Sequence, residues 1–209
     1  MTLRYNEQGI AIFDNGLSDH LCDEIWNFYY DNISESKPGR TISGHKLDSD
    51  GTLTKNTLDQ DFSIHSSQNA EKRKEIDDKI YQELCPVVSE YLSMYSYLAE
   101  APNIRDTGYL WQMYRQNNGY YKEHIDGSPW VEAVFSRVGA IICYINTVDE
   151  GGETYFRYQN LKVKPQKGVV VIFPSSWMYP HEALMPISSD KLILSSFLEF
   201  VPNFHIHQH

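Results

Sequence analysis

The fold is decided by the stretch from residue 114 to residue 200. Its informative parts read YRQNNGYYKEHIDGSPW (114–130), RVGAIICYINTVDEGGETYF (137–156) and KGVVVIFPSSWMYPHEALMPISSDKLILSSFLEF (167–200). His124 and Asp126 are two residues apart, so on a strand both side chains point to the same face. His181 comes 57 residues later (181 − 124 = 57), after several β-type segments, and must return in space to join them. Two imidazoles and one carboxylate gathered on one face are a ligand set suited to a divalent transition metal.

Further features of the same stretch accompany these three side chains in a fixed order. Tyr114 precedes the H-x-D sequence, Tyr121 stands three residues before its His, and a G-G-E-T-x-F sequence occupies 151–156. The second His follows an apolar segment ending in Phe-Pro, and Lys191 lies ten residues beyond it (191 − 181 = 10). This ordered set resembles the catalytic core of the prolyl 4-hydroxylase-like family of 2-oxoglutarate- and Fe(II)-dependent dioxygenases. The resemblance is close in the second half of the chain and covers the first half in outline.

The resemblance implies an iron centre in which His124, Asp126 and His181 are the metal ligands and the catalytic residues. Three coordination positions then stay open, as in other non-haem Fe(II) oxygenases. Related halogenases lack the carboxylate so that chloride can bind, and the presence of Asp126 therefore favours hydroxylation. The implied cofactors are Fe(II), 2-oxoglutarate and O2, with ascorbate as a candidate reductant.

The resemblance also implies a binding site for 2-oxoglutarate. In this family the distal carboxylate of 2-oxoglutarate meets a basic residue at the position that Lys191 matches, and an ammonium serves there as a compact point charge. Tyr114 matches a tyrosine that bonds the same carboxylate, although its spacing to the H-x-D is one residue longer than expected. Thr154 matches a threonine that lines the pocket. Three aromatic residues are candidates for facing the substrate, although the two tryptophans could equally cap the core: Tyr121, Trp130 and Trp177.

From residue 101 onward the pattern is that of short strands separated by turn residues. Such regular spacing is typical of a β-sandwich or barrel. We therefore expect an α+β, mainly β fold with a double-stranded β-helix (jelly roll) core and N-terminal supporting helices. The predicted strands are 108–114, 138–146, 153–158, 161–163, 168–173, 181–186 and 192–200.

The first hundred residues predict a strand and supporting helices. An apolar run at 9–13 suits a strand, and apolar spacing from Leu17 to about Asn32 predicts a helix with Ser18 as its N-cap. A second helical pattern begins near Gln68, and Pro86 should kink or break it before a second helix or a continuation. We expect one domain over 1–209, with this part at 1–100 and the jelly roll at 101–204.

Two segments lack regular periodicity. Residues 33–64 are rich in Gly, Ser, Thr, Asp and Lys, which predicts a long loop or loose β segment. Because long loops inside compact domains are often functional, this segment is a candidate lid over the metal cleft, the alternative being a solvated connection. The C-terminal sequence carries His205, His207 and His209, which could bind metal adventitiously, although a solvated tail is favoured.

Composition restricts the compartment and the partners. The chain has 209 residues, 41% of them hydrophobic, and a formal net charge of −10, which argues against a broad nucleic-acid surface. It has no apolar run of about 18 residues and no signal-peptide-like N-terminus, so no membrane partner is expected. Cys22, Cys85 and Cys143 are widely separated and odd in number, as in proteins of a reducing compartment. We therefore expect a cytoplasmic protein.

The substrate is the least determined part of this interpretation. Peptidyl proline is the first hypothesis because of the resemblance, and another protein side chain, a free amino acid or a small metabolite are alternatives. A cupin-like module that holds a metal or sugar without turnover is the alternative from a different class. Such a module would need no anchor like Lys191 or Tyr114. A nucleic-acid demethylase would be expected to carry a basic groove, and this chain is acidic.

Overall fold

Fourteen strands and three α-helices occur in the part of the chain that the structure, a computed structural model, describes: residues 1–41, 47, 51–61, 69–100, 103–128 and 131–201. The strands are β1 (Thr2–Glu7), β2 (Ile10–Asp14), β3 (Lys37–Pro38), β4 (Lys55–Asn56), β5 (Leu58–Asp61), β6 (Ile104–Asp106), β7 (Leu110–Tyr114), β8 (Tyr120–His124), β9 (Arg137–Tyr144), β10 (Thr154–Phe156), β11 (Leu161–Val163), β12 (Val170–Pro174), β13 (His181–Ala183) and β14 (Lys191–Phe200). The helices are α1 (Asp19–Asp31), α2 (Ala70–Ser93) and α3 (Ser96–Ala99), with 3-10 turns at Ile33–Glu35 and Glu132–Val134.

The strands form two antiparallel sheets. Over the described residues, the larger sheet has the order β1-β2-β12-β9-β14-β7-β5-β3, with β6 beside β14, and the smaller has the order β11-β10-β13-β8-β4. One apolar core joins the two sheets, with Tyr144 and Phe173 from the larger and Phe156 and Val163 from the smaller. Two such sheets around one core make a double-stranded β-helix, and the predicted mainly β fold class is confirmed.

Strand alternation decides which side chains of the larger sheet face the smaller one. Along β14, Ile193 and Phe197 belong to the core between the sheets, whereas Leu192 and Leu194 face the helices. The period of two continues to Lys191, which therefore lies on the inner face at the start of the strand.

Helices α1 and α2 cover the outer face of the larger sheet. Helix α1 begins as predicted at Ser18, whose Oγ accepts a hydrogen bond from the Leu21 N–H at 3.2 Å. The apolar stripes of both helices meet the sheet side chains Trp111 and Met113 in one buried cluster. This layer holds the sheet from behind and leaves its inner face for the site.

Of the alternatives predicted at Pro86, a break of the second helix is wrong and a continuation of the helix is confirmed. Helix α2 runs without interruption from Ala70 to Ser93 and carries Pro86 on its exposed side. The buried stripe of Ile80, Leu84 and Val87 continues across the proline, so packing against the sheet outweighs the one backbone hydrogen bond that proline removes.

Several strand boundaries differ from the sequence prediction. Residues Thr2–Glu7 form a strand that was not predicted, because it is mostly exposed and pairs only with β2. The predicted strand at 108–114 begins at Leu110 and follows a separate strand, Ile104–Asp106. The strand predicted at 181–186 ends at Ala183.

The described part of segment 33–64 contains a 3-10 turn and three short strands. Strands β3 and β5 extend the larger sheet, and β4 pairs with β8 at the edge of the smaller one. The segment therefore lies against both sheets, while its role as a lid stays a prediction. The candidate residues Trp130, His205, His207 and His209 lie outside the described residues. No helix in the described ranges is both long and apolar enough to span a bilayer.

Candidate metal and cosubstrate site

The pairing of β8 with β13 brings the three predicted metal ligands together. His181 lies directly opposite His124 in this antiparallel pair. Strand β8 ends at His124, and Asp126 lies in the turn that follows. The prediction that both residues lie on one strand is therefore wrong. Its carboxylate oxygens are 3.6 Å from His124 Nε2 and 3.5 Å from His181 Nε2, and the three ligand atoms lie within 4.8 Å of one another.

The turn that carries Asp126 is held by a close backbone approach. The Gly127 N–H donates to the Ser175 carbonyl oxygen at 2.8 Å. A Cβ at position 127 would lie 2.7 Å from Ser175 Oγ, so this approach requires glycine. Ser175 follows β12, and the contact therefore fixes the carboxylate relative to the larger sheet.

Both imidazoles are oriented by their own backbone. His124 Nδ1 lies 2.8 Å from the Lys122 carbonyl oxygen, and His181 Nδ1 lies 3.1 Å from the Tyr179 carbonyl oxygen. A carbonyl can only accept, so each Nδ1 carries the hydrogen and each Nε2 lone pair points toward Asp126. Burial lowers the pKa of His181 to about 4, which keeps that imidazole neutral at neutral pH.

The charge state of Asp126 also suits a metal. Its pKa is lowered on balance, with burial opposing the shift and the nearby Arg137 guanidinium favouring it. Two oriented imidazoles and an ionised carboxylate, converging within metal-binding reach, fit the two-histidine, one-carboxylate donor set of non-haem Fe(II).

Lys191 fits the distal carboxylate of a dicarboxylic acid. The residue is 1% exposed, and its Nζ lies 4.1 Å from the centre of the Tyr114 ring. Within the described residues, Nζ makes one hydrogen bond, to the Gly152 carbonyl oxygen at 2.8 Å, and no ion pair. Burial lowers the pKa of Lys191 to about 7, with Glu153 opposing the shift. A buried ammonium without a counter-ion is costly unless a ligand supplies the negative charge.

Thr154 and Tyr114 line the cleft that also contains the three predicted metal ligands. The Tyr144 hydroxyl donates to Thr154 Oγ1 at 2.7 Å, which leaves the hydrogen of the Thr154 hydroxyl available to a ligand. Gly152 supplies the carbonyl that Lys191 contacts and has a φ of +77°, a conformation that side chains disfavour. The G-G-E-T sequence therefore shapes this end of the cleft through its backbone as well as through Thr154.

Two other basic residues in this half of the chain are engaged elsewhere. Arg115 donates to Asp190 at 2.6 Å, and Arg157 pairs with Glu123 at 2.8 Å on the exposed rim. Lys191, by contrast, is buried and forms no ion pair within the described residues. Of these three basic residues, Lys191 is thus the best placed to meet a carboxylate.

The cleft above the metal ligands has a volume of about 500 Å³. Tyr121 forms part of its wall and stacks on the His124 ring, with ring centres 3.5 Å apart and planes 12° apart. Trp177, by contrast, is 65% exposed and does not line the cleft. Of the described aromatic candidates, Tyr121 is the one in position to touch a substrate.

Sequence reasoning missed two residues of the site. Arg137 lines the cleft, donates to the Asp126 carbonyl oxygen at 3.1 Å and stacks on the Phe197 ring at 3.5 Å. The sequence did contain a signal for Arg137, because a charged residue begins the apolar segment RVGAIICY. Charged residues are rarely buried without a partner, so this one could have been identified as a candidate site residue. Tyr144, the partner of Thr154, lies in the same segment and could not be told from a core tyrosine.

Comparison with known proteins gives one family match and several similar folds. Residues 109–199 match the model of the 2OG-Fe(II) oxygenase superfamily. A viral collagen prolyl hydroxylase from Paramecium bursaria Chlorella virus-1, solved with 2-oxoglutarate, is 21% identical with a TM-score of 0.65, covering 93% of this chain and 97% of its own. A Pseudomonas putida prolyl-4-hydroxylase is 17% identical with a TM-score of 0.63, covering 93% and 94%.

A third similar structure is a Trichoplax adhaerens prolyl hydroxylase in complex with a hypoxia inducible factor oxygen degradation domain peptide fragment. It is 16% identical with a TM-score of 0.65, covering 93% of this chain and 85% of its own. A search of curated proteins finds no match.

The family match and the fold define the class of protein. Residues 109–199 belong to the 2OG-Fe(II) oxygenase superfamily, and the chain shares the fold of the prolyl hydroxylases. It is a 2-oxoglutarate- and Fe(II)-dependent dioxygenase, and its cofactor and cosubstrates are Fe(II), 2-oxoglutarate and O2.

Proposed function

We propose that the enzyme hydroxylates an unactivated C–H bond of peptidyl proline, with His124, Asp126 and His181 as its iron ligands. The observation that carries the site assignment is the convergence of these three ligand atoms within 4.8 Å at the base of the cleft. When bound there, iron and 2-oxoglutarate supply the oxidising chemistry, and succinate and CO2 are released. The protein's own residues bind, orient and exclude water.

The 2-oxoglutarate would be held beside Thr154, Tyr114 and Lys191. Lys191 provides the charge, Thr154 provides a hydroxyl donor, and the Tyr114 ring lines the cleft 4.1 Å from Lys191 Nζ. The apolar side chains Ile142 and Ile193 line the same space, so water is kept from the ammonium. In such a low-dielectric site the pairing of ammonium and carboxylate is stronger than in water.

The remaining space of the cleft is open to a larger substrate. Arg40, Thr41 and Val131 also line it, and Tyr121 and Arg137 stand beside the metal ligands. A cleft of about 500 Å³ has room for a substrate side chain in addition to a small dicarboxylate. The similar structures are prolyl hydroxylases, one of them holding a peptide, and this supports peptidyl proline as substrate.

The test is a paired peptide assay. The protein is incubated with Fe(II), ascorbate, 2-oxoglutarate and a panel of proline-containing peptides, each matched by a peptide with alanine in place of proline. We expect succinate release together with the mass of one added oxygen in a proline-containing peptide and in none of its partners. Equal oxidation of an alanine-substituted partner, or turnover only with free amino acids or small metabolites, would replace peptidyl proline with another substrate.

A further inference from the structure

The Asn146 side chain bridges the backbone on both sides of Lys191. Its Nδ2 donates to the Asp190 carbonyl oxygen at 2.8 Å, and its Oδ1 accepts from the Leu192 N–H at 2.8 Å. Asn146 lies 45 residues before Lys191 in the sequence (191 − 146 = 45). Within the described residues, its side chain forms no hydrogen bond to a metal ligand.

This bridge lies where one neighbour of β14 ends. Strand β9 pairs with β14 up to Tyr144, which lies opposite Ile193. If the pairing continued for two more residues, Asn146 would lie opposite Lys191. The Ile145 N–H still donates to the Leu192 carbonyl oxygen at 3.0 Å. The Leu192 N–H, however, is taken by the Asn146 side chain instead of a strand carbonyl. The carboxamide thus replaces the ladder bonds that β9 no longer supplies.

Without that bridge, the β9 side would still hold β14 through the bond from Ile145 to Leu192, but it would not hold the Asp190 carbonyl oxygen or the Leu192 N–H on either side of Lys191. Its other neighbour, β7, places Tyr114 directly opposite Lys191. A binding group must be held within about 0.5 Å of its productive position, and residues behind it have to provide that restraint. The lysine side chain is attached at this point of the backbone, so a shift of the backbone changes the positions that the ammonium can reach.

We propose that Asn146 is a positioning residue for 2-oxoglutarate, holding the backbone around Lys191 so that the ammonium meets the distal carboxylate. This inference rests on the proposed role of Lys191. Asn146 does not touch the cosubstrate or the metal, and it acts through Lys191 alone. It is therefore expected to influence 2-oxoglutarate binding and to leave iron binding unchanged.

The test is a double-mutant cycle on cosubstrate affinity. The affinity of the Fe(II) protein for 2-oxoglutarate is measured anaerobically by calorimetry in wild type, Asn146→Ala, Lys191→Ala and the double variant. We expect Asn146→Ala to weaken binding on the order of tenfold, and to add little once Lys191 is already alanine, because coupled residues are not additive. Iron affinity and the thermal midpoint verify the fold, and Asn146→Ser takes the place of the alanine variant should that one fail to fold.

Gln116→Ala is the matched control. The Gln116 side chain also bonds a backbone carbonyl of the neighbouring turn, that of Ile187 at 2.7 Å, but does not bridge Lys191. Its 2-oxoglutarate affinity should equal that of wild type. Wild-type affinity in Asn146→Ala, an equal loss with and without Lys191, or a matching loss of iron affinity would each overturn the positioning role. Wild-type affinity in Lys191→Ala would instead remove the proposed anchor itself.

Discussion

At the scale of single residues, Lys191 is the group whose ionisation controls cosubstrate binding in this proposal. Its pKa is lowered to about 7 because the side chain is buried. The distal carboxylate needs the ammonium form, and 2-oxoglutarate itself stays fully ionised near neutral pH. Below about pH 7 the lysine is already protonated, whereas above it the free protein must take up a proton when the ligand binds.

We therefore expect the affinity for 2-oxoglutarate to fall as the pH rises above about 7, by at most tenfold per pH unit. Lys191→Arg should bind with a much smaller slope, because a guanidinium stays protonated in this range. The measurement is anaerobic calorimetry of the Fe(II) protein from about pH 6.5 to about pH 8.5. A flat profile in wild type, or the same slope in Lys191→Arg, would contradict this role.

At the scale of elements, a buried ion pair connects strands β3 to β5 to the site. Lys55 Nζ lies 2.7 Å from Asp59 Oδ2, with side chains 3% and 11% exposed, and stands 5.2 Å from the centre of the Tyr121 ring. The Thr57 hydroxyl donates to the other carboxylate oxygen at 2.7 Å. This cluster joins the segment that follows α1 to the wall of the cleft.

Removing one partner of that pair leaves a buried charge uncompensated. We expect Asp59→Ala to lower the free energy of unfolding by about 3 kcal/mol and to make residues 51–61 more accessible to protease. Asp78→Ala is the control, since it breaks the Lys74–Asp78 pair at a similar 2.7 Å but with side chains 60% and 56% exposed. That change should cost less than about 1 kcal/mol. Equal effects of the two substitutions in urea unfolding would mean that burial of the first pair is unimportant.

Helix α2 carries a local defect that its packing tolerates. Pro86 lies on the exposed side of the helix interior, where proline is unfavourable by about 3 kcal/mol relative to alanine. Replacing the proline would recover only part of this free energy, because proline also restricts the unfolded chain and in that way stabilises the protein. We expect Pro86→Ala to raise the free energy of unfolding by about 1–2 kcal/mol. Ser89→Ala, exposed in the same helix, should change it by less than about 0.5 kcal/mol, and destabilisation by Pro86→Ala would contradict this interpretation.

At the scale of the whole molecule, the sequence predicted features that depend on order along the chain. The mainly β fold follows from the strand pattern, and the class of enzyme and the joint location of His124, Asp126 and His181 follow from the ordered motifs, although Asp126 lies in the turn after β8 and not on the strand. The position of Lys191 on the inner face follows from the same alternation, because it begins an apolar strand.

Features that depend on contacts between distant segments could not be predicted. Continuation of the helix through Pro86 needed the sheet beneath it, and local propensity alone indicates a break. The bond from Asn146 to the backbone around Lys191 joins two strand ends that the sequence does not show to be neighbours. Trp177 was a candidate because it precedes His181, yet in space it lies outside the cleft.

The most direct measurement is an anaerobic titration of the Fe(II)-loaded protein with 2-oxoglutarate, followed by the visible absorption that arises when the keto acid chelates iron. We expect a saturable band at one 2-oxoglutarate per chain in wild type and in His20→Ala, a control at an exposed histidine. Asp126→Ala and His181→Ala should lose the band and the iron-dependent turnover of 2-oxoglutarate while keeping the fold. A wild-type band and turnover rate in Asp126→Ala or His181→Ala would show that the iron and its cosubstrate bind somewhere else.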